Sequence, residues 1–288
     1  MKIGTRIPPV GGEMGFPAFF QWLSENGFGA VDVSELTEQM KSDVESAGLQ
    51  VGTIDCIGIT KKTLSANEDT RAEGVAEMKE LISSVSALGG KILFTVLLPD
   101  DPTIGRAKNF DIWKETWPEI LDHAEANDVV FAIEWYPGGA PYYPALGCTP
   151  EMWRKMYAVS SSKALGMCYD PSHLARLQID WMRALHELGD RITHVHAKDT
   201  EIFPELLYEQ GTLGASFGAG MGFSEGYWRY CIPGDGVVNW RSVQERLEHF
   251  GFDGIFSVEL EDYRYWKDGD AQKEGLLASH RHLSQFVR

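Results

Sequence analysis

The sequence predicts an α/β protein built as a closed (β/α)8 barrel, on three observations. Short apolar runs of strand type alternate with helical stretches along all 288 residues. Eight such runs occur, each followed by a helical stretch. No Pro- or Ser-rich linker interrupts them, so one domain over 1–288 is expected. A doubly wound open sheet is the competing architecture, and the count of eight favours closure.

The strand runs are KIGTRI (2–7), GAVDV (29–33), VGTIDCI (51–57), KILFTVLL (91–98), VVFAIEWY (129–136), LGMCYD (165–170), RITHVHAKD (191–199) and GIFSVELED (254–262). Helical runs between them include PAFFQWLSENG (17–27), ETWPEILDHAEAN (115–127) and WRSVQERLEHFG (240–251). A last helical run, AQKEGLLASHRHLSQF (271–286), ends the series. Segment 200–239 breaks the rhythm after the seventh strand. It is Gly-rich at GTLGASFGAGMGF (211–223) and aromatic at GYWRY (226–230). A barrel builds its active site on this side, so the insertion is read as a lid or pocket wall. A surface excursion or an oligomer contact is the alternative. Its GxG elements do not sit between a strand and a helix, which argues against nucleotide binding.

Bulk properties disfavour several classes. A formal net charge of −16 disfavours nucleic acid. The start, MKIGTRIPPVGG, has no signal-peptide core, and no run of about 18 apolar residues suggests a membrane span. Cys56, Cys148, Cys168 and Cys231 are widely spaced with no CxxC pair, and read as reduced, buried thiols of a cytoplasmic protein.

Strand side chains alternate between faces. In the last four strands one face is greasy: Phe131, Ile133 and Trp135; Leu165, Met167 and Tyr169; Val195 and Ala197; Phe256, Val258 and Leu260. The other is small low down and polar at its C-terminal end. As a barrel interior, it delivers Glu134, Asp170, His196 and Glu259 to one mouth. Three converging carboxylates repel, and each uncompensated buried ion costs several kcal/mol. Lys198 cannot balance three of them. One divalent cation can, and three oxygen donors with one imidazole suit Mn2+, Mg2+, Co2+, Fe2+ or Zn2+. His194 lies one layer deeper and reads as a hydrogen-bonded barrel residue. Singly, each residue has a bland account: Asp170 before Pro171 is a turn former, and Glu134 and Glu259 are strand-end carboxylates. Four at matched positions of successive strands are harder to explain that way.

At these residues the chain resembles the xylose isomerase-like TIM-barrel superfamily, in its sugar phosphate isomerase/epimerase branch. That branch includes ketose 3-epimerases, hydroxypyruvate isomerase and inosose-processing enzymes. The stretches that carry the resemblance are IEWYP (133–137), YDPSHL (169–174), HVHAKD (194–199), PGDGVVNW (233–240) and SVELED (257–262). It implies that Glu134, Asp170, His196 and Glu259 bind one divalent metal, for which Mn2+ is the expected ion, and that Glu134 and Glu259 face each other as an acid/base pair. It also implies that His173 touches a substrate oxygen and that Lys198 is a basic site residue. Two departures concern the substrate. Tyr230 stands where the epimerases usually carry arginine, with Arg229 next to it, and the 200–232 insertion is long.

The expected function is a divalent-metal-dependent sugar epimerase or aldose–ketose isomerase of the 5.1.3 or 5.3.1 type, working through an enediolate. One glutamate of the pair is expected to be deprotonated at rest. A metal-dependent lyase, dehydratase or hydrolase on an oxidised sugar is the alternative. An endonuclease IV-like AP endonuclease is remote, because no histidine precedes His123. Trp135, Tyr136, Tyr142, Tyr143, Trp228 and Tyr230 fall near strand-end loops, and of these Trp135 and Tyr136, with Arg229, join His173 and Lys198 as expected substrate contacts. Basic residues at the mouth are few (Lys198, Arg229 and Arg6), which points to a neutral sugar or keto-sugar. The expected partners are this small molecule and, for a homo-oligomer, other copies of the chain.

Overall fold

The computed structural model describes residues 1–214, 217 and 220–287. Eight parallel strands close into a barrel: β1 (Lys2–Arg6), β2 (Ala30–Val33), β3 (Gln50–Asp55), β4 (Ile92–Thr95), β5 (Val130–Glu134), β6 (Leu165–Tyr169), β7 (Ile192–Ala197) and, after an inserted hairpin of β8 (Asp199–Ile202) and β9 (Trp228–Cys231), β10 (Ile255–Val258). The ring order is β1-β10-β7-β6-β5-β4-β3-β2. All eight expected strand runs are thus strands of one closed barrel, and the open sheet is ruled out. The run 191–199 divides: β7 ends at Ala197 and the antiparallel β8 begins at Asp199.

The two-residue period sorts the side chains as expected. Phe131, Ile133, Leu165, Met167, Val195, Phe256 and Val258 belong to the main apolar core under the helices. The barrel interior is partly polar instead: Thr5, Asp32, Thr53, His194, His196 and Ser257 are all buried. Register sets their heights. Glu134 pairs with Cys168, Cys168 with His194, and His196 with Ser257.

Helix starts follow local chemistry. The YDPSHL stretch ends β6 and starts the helix Pro171–Arg176, because Asp170 caps it through Ser172 N (2.9 Å) and Pro171 takes the first-turn position where no N–H is needed. Thr149 and Pro150 start Pro150–Val159 in the same way. The helix expected at 115–127 begins earlier, at Arg106, and carries Pro118 inside it. A long buried face, including Ile112, Trp113, Trp117, Ile120 and Leu121, outweighs the hydrogen bond lost at the proline.

The insertion packs on its own small core, in which Tyr227, Trp228 and Tyr230 meet Ile202, Leu206, Leu207 and Phe223. Part of its Gly-rich run, positions 215, 216, 218 and 219, lies outside the described residues. Asp199 stitches the hairpin to the barrel. Its carboxylate accepts from the N–H groups of Thr200 (2.8 Å), Val238 (3.0 Å) and Gly234 (3.1 Å) and from Trp240 Nε1 (3.0 Å). Gly236 makes this approach feasible, since a Cβ there would collide with Asp199 Oδ1. Asp199→Ala would leave these buried donors unmatched, at an expected cost of about 3 kcal/mol. Urea denaturation followed by tryptophan fluorescence checks this, and a loss below about 1 kcal/mol contradicts it.

Candidate active site

The C-terminal ends of β5, β6, β7 and β10 converge on one cavity. Its walls include Glu134, Tyr136, His173, Lys198, Glu259 and Glu261, with Trp228 and Tyr230 from the insertion. Three expected ligands, Glu134, Asp170 and Glu259, come together there. The fourth member of their group is His173, with one ligand atom from each of the four within 4.8 Å of the others. His196 sits at their edge: its Nδ1 is 2.5 Å from Glu134 Oε1 and 3.5 Å from Glu259 Oε2. The imidazole provided by the helix Pro171–Arg176 therefore shares the cluster with the one expected from β7.

These residues fit a divalent ion. The donor set is three carboxylates with imidazole, which suits a hard or borderline cation. Asp170 is fully buried. Its Oδ1 is used as the helix cap, while Oδ2 and His196 Nε2 have no hydrogen-bond partner among the described residues. Lys198 Nζ, 3.3 Å from Asp170 Oδ2, meets this buried oxygen without a hydrogen bond, and a divalent ion would meet it more fully.

Lys198 stands among the acids. Its Nζ is 2.5 Å from Glu259 Oε2, 2.9 Å from Glu261 Oε2 and 3.3 Å from Asp170 Oδ2. Burial alone would lower its pKa, but Asp170, Glu259 and Glu261 outweigh burial and hold the ammonium protonated. Burial pushes Glu259 up, while Lys198 and His196 bring it well below the usual carboxylate range. Burial and Glu259 push Glu134 up, while His196 and His173 bring it down. Both glutamates are held ionised, where the sequence suggested one. Arg6 adds support, with Nε 3.4 Å from Glu259 Oε1 while its other nitrogens pair with Asp55 at 3.0 and 2.8 Å.

Beneath the cluster lies a second polar layer. Asp32 accepts from Thr53 N (2.8 Å) and Ser257 Oγ (2.5 Å) and meets His194 Nε2 at 3.0 Å. His194 is thus the hydrogen-bonded interior residue that its depth suggested. Gly52 leaves room for Asp32, because a Cβ there would strike Asp32 Oδ1.

Among the expected substrate contacts, His173, Lys198 and Tyr136 line the cavity. Trp135 and Arg229 are not brought to it. Trp135 faces outward against Trp153, ring centroids 5.7 Å apart. Arg229 is on the outer face of β9, paired with Glu201 (2.5 Å) and Asp262 (3.2 Å). Strand alternation is the reason in both cases, since Tyr136 and Tyr230 point the other way. Residues missed in the sequence include Arg176, Glu261 and Asp32. Arg176 donates to Tyr230 Oη (2.7 Å), which also bonds His173 Nδ1 (2.6 Å). The helical period could have found it, because Arg176 follows His173 by three residues on the same helix face.

The Asp32 layer has a pH signature. Burial pushes Asp32 up, but His194, His196 and Ser257 bring it far below its ordinary 3.8. A depressed carboxylate stabilises the fold above its unfolded pKa, and that contribution is lost as pH falls. Wild type should therefore be more stable than Asp32→Asn between pH 7 and 5. The margin should narrow as pH drops below about 4. Urea denaturation of both proteins across this range is the check, and a margin unchanged at low pH contradicts it.

No helix among the described residues is long and apolar enough to cross a membrane. Over 267 residues the chain is 30% identical to an inosose dehydratase of Geobacillus thermodenitrificans, covering 88% of this chain and 85% of that one. The solved structure of D-psicose 3-epimerase from Clostridium cellulolyticum H10 superposes with a TM-score of 0.73, at 14% identity and 100% coverage of both chains. The IOLI protein with a bound zinc atom superposes at 0.67, with 17% identity, over 100% of this chain and 99% of the other. A family model described as xylose isomerase-like TIM barrel matches residues 11–285. With the barrel and its cluster of acids and imidazoles in place, that match is decisive: the chain belongs to the xylose isomerase-like TIM-barrel family.

Proposed function

We propose that the protein is a divalent-metal-dependent keto-sugar isomerase or epimerase that moves a proton on the carbon next to a carbonyl. The observation that carries this reading is the pairing of Glu134 and Glu259, two ionised carboxylates from β5 and the end of β10, across one cavity and around His196 Nδ1. Glu134, Asp170 and Glu259, with His173 and His196, would hold the ion, Mn2+ by preference. When bound, it supplies Lewis-acid stabilisation of the enediolate.

The chain's own groups do the rest. An ionised carboxylate is the form that can accept a proton from a weak carbon acid. Glu134 or Glu259 takes it, and the other must gain a proton before returning one. Lys198 Nζ, in contact with Glu259 Oε2, holds Glu259 in the ionised form that accepts a proton, and the returning proton enters from solvent in the open cavity. His173, fixed through Nδ1 by Tyr230, presents Nε2 to the acids and to substrate oxygens. Return to the same carbon from the opposite face gives epimerisation, and return to the neighbouring carbon gives isomerisation. The few cations lining the cavity, against four carboxylates, favour a neutral keto-sugar over a phosphorylated one.

A second reading is favoured by the similarity to an inosose dehydratase over most of the chain. Dehydration uses the same proton removal and then expels a neighbouring hydroxyl instead of reprotonating. Product mass separates the two, since isomerisation leaves it unchanged and dehydration removes one water.

Incubation with keto-sugars in D2O, read by NMR, is the test. Wild type should place deuterium on the carbon beside the carbonyl. Glu134→Gln and Glu259→Gln should each slow this by roughly 100- to 10,000-fold. Full exchange in both variants removes the pair from the role.

A further inference from the structure

Two cavities meet at Arg176. The inner one, about 310 Å3, contains the acid cluster. The outer one, about 440 Å3, is bounded by Ala140, Tyr143, Leu177, Thr212 and Tyr227. Arg176, Ser224, Glu225 and Trp228 line both. The inner cavity alone is at the small end of ligand sites, which run from roughly 300 to 1,000 Å3. A substrate reacting at the acid cluster therefore has a second, larger space adjoining it.

The shared wall has the chemistry of a hydroxyl-binding site. Arg176 is buried, 4.6 Å from the Trp228 ring centroid and 5.2 Å from that of Tyr136. It donates to Tyr230 Oη and to the Gly138 carbonyl (2.9 Å), while its own carbonyl accepts from Tyr227 Oη. Among the described residues no carboxylate pairs with it within 4.0 Å, whereas buried Arg229 has both Glu201 and Asp262. A guanidinium has five N–H donors, so some remain for a ligand. Glu225, on the same wall, accepts from Tyr143 Oη at 3.2 Å. An anionic ligand drawn to Arg176 would be repelled by Glu225. A hydroxylated neutral ring can accept from the first and donate to the second, with Trp228 offering an apolar face to its C–H surface.

We infer that the outer cavity is a subsite for a second hydroxylated ring, so that the substrate is a keto-glycoside rather than a free keto-sugar. This rests on the keto-sugar reading above and adds the identity of the group beyond the reacting ring. The test is calorimetric titration of the Mn2+-loaded protein with 3-ketoglucose and with a 3-keto-glucosyl disaccharide. The disaccharide should bind at least about tenfold tighter. Leu177→Trp, which fills the outer cavity, should abolish that advantage. Thr212→Trp, on the exposed rim, should reduce it even if Leu177→Trp does not fold, as judged by circular dichroism. Equal affinity for the two sugars in wild type, no binding of the disaccharide, or an advantage that survives both substitutions overturns the inference. Binding is read without turnover. A missing deuterium signal with the affinity gap intact would therefore count against the proton-transfer reading and not against the subsite.

Discussion

Four carboxylates, those of Glu134, Asp170, Glu259 and Glu261, crowd one mouth of a closed barrel, and the rest of the site is arranged around keeping them there. Uncompensated, each buried ion would cost several kcal/mol. Lys198 touches three of the four and Arg6 supports Glu259 from β1. His173 and His196 stand between Glu134 and the others. One lysine and one shared arginine do not balance the cluster, and the leftover negative charge, with Asp170 Oδ2 lacking a hydrogen bond and meeting Lys198 only at 3.3 Å, is what a divalent ion would meet.

The same constraint explains the polar interior. An ordinary barrel of this kind is filled by branched apolar side chains. Here Asp32, His194 and Ser257 occupy the layer under the cluster, with Gly52 leaving space for the carboxylate. His196 links the layers, meeting Glu134 above and lying 3.8 Å from Asp32 below. Its orientation is thus set by acids on both sides, in the way that outer groups fix the ring of a metal-binding histidine.

Strand alternation made much of this legible in the sequence. Period-two reading separated the greasy faces of β5, β6, β7 and β10 from the faces bearing Glu134, Cys168, His194 and His196, and the count of strands gave the closed barrel. It stopped where the strands stop. Trp135 and Arg229 were attractive by residue type, yet alternation turns both away from the cavity. Arg176 is on a six-residue helix after β6, and Asp32 comes from β2, 162 residues before its partner His194. Contacts of that separation leave no local signal. The insertion could be located by composition but not shaped by it. Its antiparallel hairpin depends on Asp199, whose four donors come from both sides of the segment.

The most direct test of the central claim is anomalous diffraction from crystals grown with excess Mn2+. The account predicts one peak per chain, within bonding distance of Glu134, Asp170 and Glu259 and of an imidazole from His173 or His196. Those side chains well ordered around Lys198 alone, with no anomalous density among them at saturating manganese, would contradict it.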